Sequence, residues 1–483
     1  MNRRALISLV VTMLAGTAFA QAPAWFQSDF PPEEFRARWE KVFAKIGGDS
    51  VLAMQGVPMT PGYIMPRQTN EFYYLCGIET PHSYLLLDGR NRKVTLYMPS
   101  RNERLERAEG RVLSAEDAAE VRRLTGVDEV VSTTAMQDDW LQRLPGGAPK
   151  TIFTLLTPAE GNSQARGELT AANNAIKNDN WDRRVSREDN FAQLLRSRNP
   201  GSAISDITPI LDEMRSVKSA REIALIRRAS QIAGQGVLEA MRSSRPGVSE
   251  YELDAAARYV FLVNGARLEG YRSITAAGTS NIANMHYYRN MSKLDSGQMV
   301  LMDYAPEYHY YTSDIGRMWP VNGKFTPWQR ELLQVTLDYR NALMKRIRPG
   351  ASVKQIMDEA KAAMEPVLAK AKFSKVEYEE AARLLVERGG GVFSHLVGMS
   401  VHDDGDYSRE PLKPGQVFSI DPAIRVPGEN LYLRYEDVVV VTENGYENFT
   451  AFLPSELNDL ENAVKQGGGI AQRFPPGAPK GVK

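Results

Sequence analysis

The chain has 483 residues, too many for one hydrophobic core, and its 43% hydrophobic and 24% charged content is ordinary for a globular protein, so two domains are expected. Its 59 basic and 59 acidic side chains leave no net field to draw it to nucleic acid or to an anionic membrane, and a small or neutral substrate is the expectation.

Residues 1–20 stand apart. Arg3 and Arg4 precede an apolar run from Ala5 to Ala15, and Ala18-Phe19-Ala20 has the small-x-small pattern of a cleavage site. The run falls short of the roughly 20 apolar residues that span a bilayer. A secretory signal cut before Gln21 is therefore predicted, giving an exported protein, periplasmic or secreted, with no membrane attachment after cleavage. Export permits disulfides, but the single cysteine, Cys76, can form none within the chain. Its setting, Phe72-Tyr73-Tyr74-Leu75-Cys76, predicts a buried thiol rather than a nucleophile.

Residues 21–208 mix strand-like runs, Ser83 to Leu87 and Lys93 to Met98, with helical stretches and turn clusters such as Leu144-Pro145-Gly146-Gly147. That pattern predicts an N-terminal α/β domain, punctuated at Asn199-Pro200-Gly201 just before its end. Residues 209–465 form the second domain. Ser219 with Glu222 is a capping box, and Ile223, Ile226, Ala229, Ile232 and Ala233 fall on one face of a helix running to about Ser243. Ser249 with Glu252, Thr326 with Pro327, and Ser352 with Gln355 open three more helices. The Gly- and Pro-rich residues 466–483 read as a disordered tail.

The second domain echoes itself. Arg245-Pro246-Gly247-Val248-Ser249 recurs as Arg348-Pro349-Gly350-Ala351-Ser352, and Leu294, Gly297, Gln298 and Asp303 recur as Leu412, Gly415, Gln416 and Asp421. The order is the same in both copies, which predicts an internally duplicated α/β unit with an insertion in the second. Asp303 and Asp421 each close an apolar strand. Two carboxylates meeting in a buried cleft repel unless one is protonated or a cation lies between them. Asp314 follows Asp303 across a predicted hairpin whose turn centres on Pro306 to His309. Of five histidines, His395 lies between apolar residues, where a core imidazole and a ligand are both open readings, and His402 lies in a polar turn. Glu436 shares a strand face with Arg434, as in a plain ion pair.

Together these segments resemble the aminopeptidase P and prolidase family, pita-bread metallopeptidases related to creatinase and methionine aminopeptidase. The resemblance runs from about Arg67 to Glu443. It begins with Arg67-Gln68-Thr69-Asn70-Glu71-Phe72-Tyr73-Tyr74-Leu75-Cys76-Gly77 and continues in order through Met285-His286-Tyr287, Leu301-Met302-Asp303, Ser313-Asp314-Ile315-Gly316-Arg317, His395, Val401-His402-Asp403, Ile420-Asp421-Pro422 and Arg434-Tyr435-Glu436-Asp437. It implies an α/β N-terminal creatinase-like domain followed by a pita-bread domain with pseudo-twofold duplication. It also implies two divalent metal ions on Asp303, Asp314, His395, Asp421 and Glu436. This oxygen-rich set suits manganese first, with zinc, cobalt or iron as alternatives. His286, His402, Asp421 and Arg434 take catalytic roles by the same resemblance. The implied reaction is hydrolysis of a Xaa-Pro bond in short proline-containing peptides, by a homodimer or homotetramer. Where relatives carry Glu in an Ile-Glu-Pro-Gly setting, this chain has Asp421, one methylene shorter, so a weak or inactive member that binds peptide or metal is the alternative reading. Gly391 stands where a further His is common, and Ala305-Pro306 stands where Gly often follows the first Asp.

Overall fold

The computed structural model describes residues 26–58, 62–389 and 393–473. The expected signal segment, Gly391 and residues 474–483 lie outside them. Among the described residues no helix is long and apolar enough to cross a membrane.

The N-terminal half is a mixed sheet of β1 (Ser50–Gln55), β2 (Tyr84–Asp88), β3 (Lys93–Met98), β4 (Glu129–Ser132), β5 (Thr151–Thr154) and β6 (Ala203–Asp206), in the order β4-β3-β2-β1-β5-β6. β1, β2 and β3 pair antiparallel, as the two short runs of Leu and Val separated by Asp88-Gly89-Arg90-Asn91 suggest, while β4, β5 and β6 add in parallel. Helix Asn70–Cys76 is buried along its whole length, and burial pushes the Cys76 thiol up to about 12, far from a reactive thiolate. The core that includes Trp39, Leu52, Phe72 and Leu85 continues through Leu211 and Met214 to Tyr310, Tyr311, Val397 and Met399. Apolar packing therefore joins the sheet directly to the second half.

In that half the first copy contains β7 (Leu268–Glu269), β8 (Ile274–Ala277), β9 (Met299–Asp303), β10 (Pro306–Glu307) and β11 (Gly316–Pro320). The second contains β12 (Val417–Ile420), β13 (Ala423–Val426), β14 (Leu431–Arg434), β15 (Asp437–Thr442) and β16 (Gly445–Asn448). The four capped helices form at Ala220–Ser243, Glu250–Val263, Pro327–Met344 and Val353–Lys370. The duplication is visible atom by atom. Gly247 N donates to Leu294 O at 2.8 Å and Leu294 N to Val248 O at 2.8 Å; Gly350 N donates to Leu412 O at 2.8 Å and Leu412 N to Ala351 O at 2.9 Å. Gln298 accepts from Asp295 N, and Gln416 accepts from Lys413 N. Between these features the second copy carries the additional helix Val376–Arg388, which lengthens its repeat.

The copies meet where β11 and β15 begin: Gly316 and Glu436 exchange backbone hydrogen bonds of 3.3 and 3.1 Å. A side chain at position 316 would crowd the site, since its Cβ would stand 3.0 Å from the Glu436 Cβ and Glu436 would have to shift. Beside this seam Arg317 and Asp437, both fully buried, pair at 2.6 Å, and Arg340 reaches the other oxygen of Asp437.

One expectation needs correction. The tail was expected to lose structure from 466 onward, yet Ile470–Arg473 forms a short helix with Ala471 buried. The carbonyls at the end of helix Ala220–Ser243 lack partners within their own helix. Arg242 O accepts from Gly469 N at 3.3 Å and from the Gln472 side chain at 2.8 Å, which composition alone does not reveal.

Candidate metal centre

β9 delivers Asp303 at its end, and Asp314 lies diagonally across the hairpin, two residues before β11. The reversal is later than expected: Tyr308 and Tyr311 pair, and His309 and Tyr310 make the turn with φ of 49° and 72°. Pro306 instead begins β10, paired with β7. Two successive left-handed residues other than Gly or Asn cost about 1–2 kcal/mol each, so surrounding contacts must hold this turn. The Tyr271 hydroxyl spans the two acids, lying 2.6 Å from Asp303 Oδ1 and 2.9 Å from Asp314 Oδ1.

His395 arrives on a segment running antiparallel to β12, where its carbonyl accepts from Ser419 N at 3.0 Å. Its Nδ1 lies 3.1 Å from Leu396 O, and with Nδ1 donating there the Nε2 lone pair faces Asp314 Oδ2 at 3.2 Å. A lone pair and a carboxylate oxygen at that distance repel unless a proton or a cation lies between them. Glu436, whose Oε1 accepts from Ser419 Oγ at 2.7 Å, completes a trio with Asp314 and His395 whose ligand atoms all lie within 4.8 Å of one another.

Asp303 and Asp421 join this cluster through Arg434. Its guanidinium contacts Asp303 Oδ2, Asp421 Oδ2 at 3.0 Å and Glu436 Oε2 at 3.1 Å. The ion-pair reading of Glu436 and Arg434 is therefore correct as far as it goes, but one cation serves three acids. Burial, then Glu436 and Asp303, pushes the Asp314 carboxyl well above its ordinary range. Burial and Glu436 do the same to Asp421, despite Arg434. Burial works against the charge on Arg434, but Asp421, Asp303 and Glu436 hold it firmly protonated. Asp421 Oδ1 and Glu436 Oε2 are buried without an aligned hydrogen-bond donor. Buried acids in excess of cations, with an unused Asp421 oxygen and an imidazole lone pair facing Asp314, are the donor chemistry that a hard divalent ion requires.

The remaining expected residues differ in placement. The His402 ring stands 4.4 Å from that of His395, and its Nδ1 lies 2.8 Å from Glu168 Oε1 of the N-terminal domain. His286 is exposed after the short helix Gly278–Ile282, and among the described contacts none joins it to the acids. Sequence reasoning missed Tyr271, Ser419 and Glu168. Ser419 could have been found, because it shares a strand face with Asp421; Tyr271 and Glu168 carry no local signal.

A model of metallopeptidase family M24 matches residues 224–443, and a model of the aminopeptidase P N-terminal domain matches residues 35–153. The Xaa-Pro aminopeptidase of Escherichia coli is 30% identical over 414 residues, covering 82% of this chain and 88% of that protein. This chain belongs to metallopeptidase family M24. A second relative of this M24 chain, the Xaa-Pro aminopeptidase of Haemophilus influenzae, is 29% identical and covers 91% of this chain and 99% of its own length. Zinc-substituted E. coli aminopeptidase P in complex with product superposes with a TM-score of 0.71 at 27% identity, covering 91% of this chain and 99% of that one. The M24 chain thus pairs an N-terminal α/β domain with a duplicated pita-bread domain.

Proposed function

We propose that this M24 metallopeptidase cleaves the bond between an N-terminal residue and a following proline in short peptides. The observation that carries the reading is the convergence of Asp303, Asp314, His395, Asp421 and Glu436 in one buried cluster short of cations. It is supported by relatives named Xaa-Pro aminopeptidase along nearly the whole chain. These five side chains would hold two divalent ions, manganese by preference, with zinc, cobalt or iron as alternatives. Such ions supply a Lewis acid for the peptide carbonyl and an attacking hydroxide near neutral pH.

The protein's own groups do the rest. Asp421, with one oxygen held by Arg434 and the other free, is placed to accept the proton of the attacking water and pass it to the leaving proline nitrogen. Arg434 holds one oxygen of each of the Asp303, Asp421 and Glu436 carboxylates and so gathers the three acids around one guanidinium. His402, next to His395 and tethered to Glu168, faces the site from the domain junction, where it can bind substrate or the charge that develops on the carbonyl. His286 is assigned the same kind of role, which needs its segment to approach the acids once substrate is bound. The alternative of an inactive binding protein is not favoured, since every ligand type is retained and only one arm is shortened.

We further assign residues 1–20 to a cleaved export signal, with a periplasmic or secreted mature protein that acts as a homodimer or homotetramer. The deciding assay adds Mn²⁺ to chelator-treated protein and follows Ala-Pro and Ala-Pro-Ala. Release of alanine from the tripeptide is expected. Absence of turnover of both with any of the four metals would reject the peptidase reading. N-terminal sequencing of exported protein, expected to begin at Gln21, and light scattering in solution test the other two assignments.

A further inference from the structure

The segment Arg67 to Gly77 belongs to the N-terminal domain, yet its first residues touch both catalytic segments. Arg67 forms a bidentate pair with Glu307 on the hairpin between Asp303 and Asp314, at 2.9 and 3.1 Å from Nε and 2.7 Å from Nη2. Its guanidinium lies 4.4 Å from the centre of the Tyr310 ring, which stacks at 3.5 Å on Tyr73. The Tyr310 hydroxyl accepts from Gln68 N at 2.9 Å and donates to Glu79 at 3.0 Å. The contacts to Tyr310 fall on the left-handed turn that His309 and Tyr310 would not adopt unaided, and the pair to Glu307 holds the strand that leads into it.

Asn70 completes the grip. Its Oδ1 accepts from Arg67 Nη2 at 2.7 Å, while its Nδ2 donates to Met399 O at 3.1 Å and to Glu160 at 2.9 Å. Met399 lies between His395 and His402, and Gly398 O on the same segment accepts from Thr312 N of the hairpin at 2.9 Å. Asn70 is fully buried and Arg67 nearly so.

We propose that Arg67 and Asn70 are positioning residues for the metal centre: a clamp from the N-terminal domain that holds the Asp303–Asp314 hairpin and the His395–His402 segment in register. The clamp rests on the ligand set assigned above, but not on the identity of the substrate. Neither residue touches the acids; each acts through the backbone that carries them. A displacement of about 1 Å in such a frame lowers turnover by roughly 100-fold, and loss of a supporting partner weakens metal binding by roughly 10- to 100-fold.

The test uses the full chain and Co²⁺, whose visible absorption reports ligand geometry. Arg67→Met and Asn70→Ala are expected to weaken Co²⁺ binding by at least roughly 10-fold, to alter the absorption band, and to lower kcat on Ala-Pro-Ala far more than they change KM. Amide exchange across residues 304–313 should speed up in the metal-free variants. Lys45→Ala, which removes an exposed ion pair to Glu213, controls for general loosening between the halves and should change none of these. If Arg67→Met does not fold, Arg67→Lys answers the same question, because an ammonium keeps the charge but loses the forked pair. Wild-type Co²⁺ affinity, spectrum and exchange in both clamp variants would overturn the proposal, as would changes no larger than those of Lys45→Ala. A wild-type chain that binds Co²⁺ but does not cleave the peptide would defeat the peptidase reading alone, leaving the clamp to be judged on affinity, spectrum and exchange.

Discussion

Glu436 and Asp437 are neighbours in the chain and equally buried, yet they live in opposite electrostatic worlds. Asp437 turns toward the seam between the two copies, where Arg317 and Arg340 both meet it. Burial raises its carboxyl, but the two guanidinium groups outweigh burial and bring it down to about 2. Glu436 turns the other way, into a cluster where Asp303 and Asp421 share Arg434 with it and Asp314 meets an imidazole and the Tyr271 hydroxyl but, among the described residues, no guanidinium. There Asp314 and Asp421 are pushed up rather than down, by burial first and then by neighbouring acids. Depth of burial is the same on both sides, so the ratio of cations to acids decides the outcome. A surplus of cations makes a structural lock, and a deficit makes a site that must recruit positive charge.

The sharpest way to break this contrast is to remove metal. Chelation is expected to abolish peptide turnover, and Mn²⁺ to restore it, measured by alanine release from Ala-Pro-Ala. The same experiment has a stability arm. Acids whose folded carboxyls lie above the unfolded value near 3.8 bind more protons folded than unfolded, so the metal-free chain loses stability as pH rises through and beyond that value. Added metal should therefore raise the melting temperature more at pH 7 than at pH 5; an equal gain at both would contradict the cation deficit.

On the opposite side of the strand, Asp437→Asn leaves Arg317 and Arg340 buried without their counter-charge and is expected to cost about 3–5 kcal/mol in urea unfolding at pH 7. Because the folded carboxyl is depressed, this contribution is fully present above about pH 4, and it is lost as the pH falls through about 2. Next in size, Asp421→Glu restores the longer arm of the relatives and should raise kcat, by up to roughly 100-fold if reach is limiting. An unchanged rate would show that Arg434 already places the shorter arm well. The smallest expected effect is that of Tyr271→Phe. It removes the hydroxyl between Asp303 and Asp314 and should weaken metal binding roughly 10-fold by calorimetry.

Much of the fold was legible in the sequence, though this contrast was not. The capping boxes at Ser219 and Ser249 marked helix starts because the reciprocal hydrogen bonds are local. The repeated Arg-Pro-Gly and Leu-to-Asp spacings marked the duplication because each copy must make the same turn and the same backbone pairs. The turn at His309-Tyr310 was misplaced toward Pro306. Its left-handed geometry is imposed by Arg67, Gln68 and Tyr73 from more than two hundred residues away, and no local composition encodes that. The tail helix Ile470–Arg473 escaped for the same reason, since its partners, the Arg242 carbonyl and the Glu239 and Ser243 side chains, lie at the end of another helix.

Arg434 shows the limit best. Two positions before Glu436, it reads as the partner of that acid alone on one strand face; the two do pair, although β14 ends at Arg434 and Glu436 lies in the short break before β15. Only the folding of one copy against the other brings Asp303 and Asp421 to the same guanidinium and turns an ordinary ion pair into a cluster short of cations. The sequence, through the ordered motifs that carry the resemblance, named the candidate metal ligands, because residue type and order are written along the chain. Tertiary structure decided how many positive charges those acids must share, because Coulomb interactions depend on distance in space and the groups that matter are far apart in sequence.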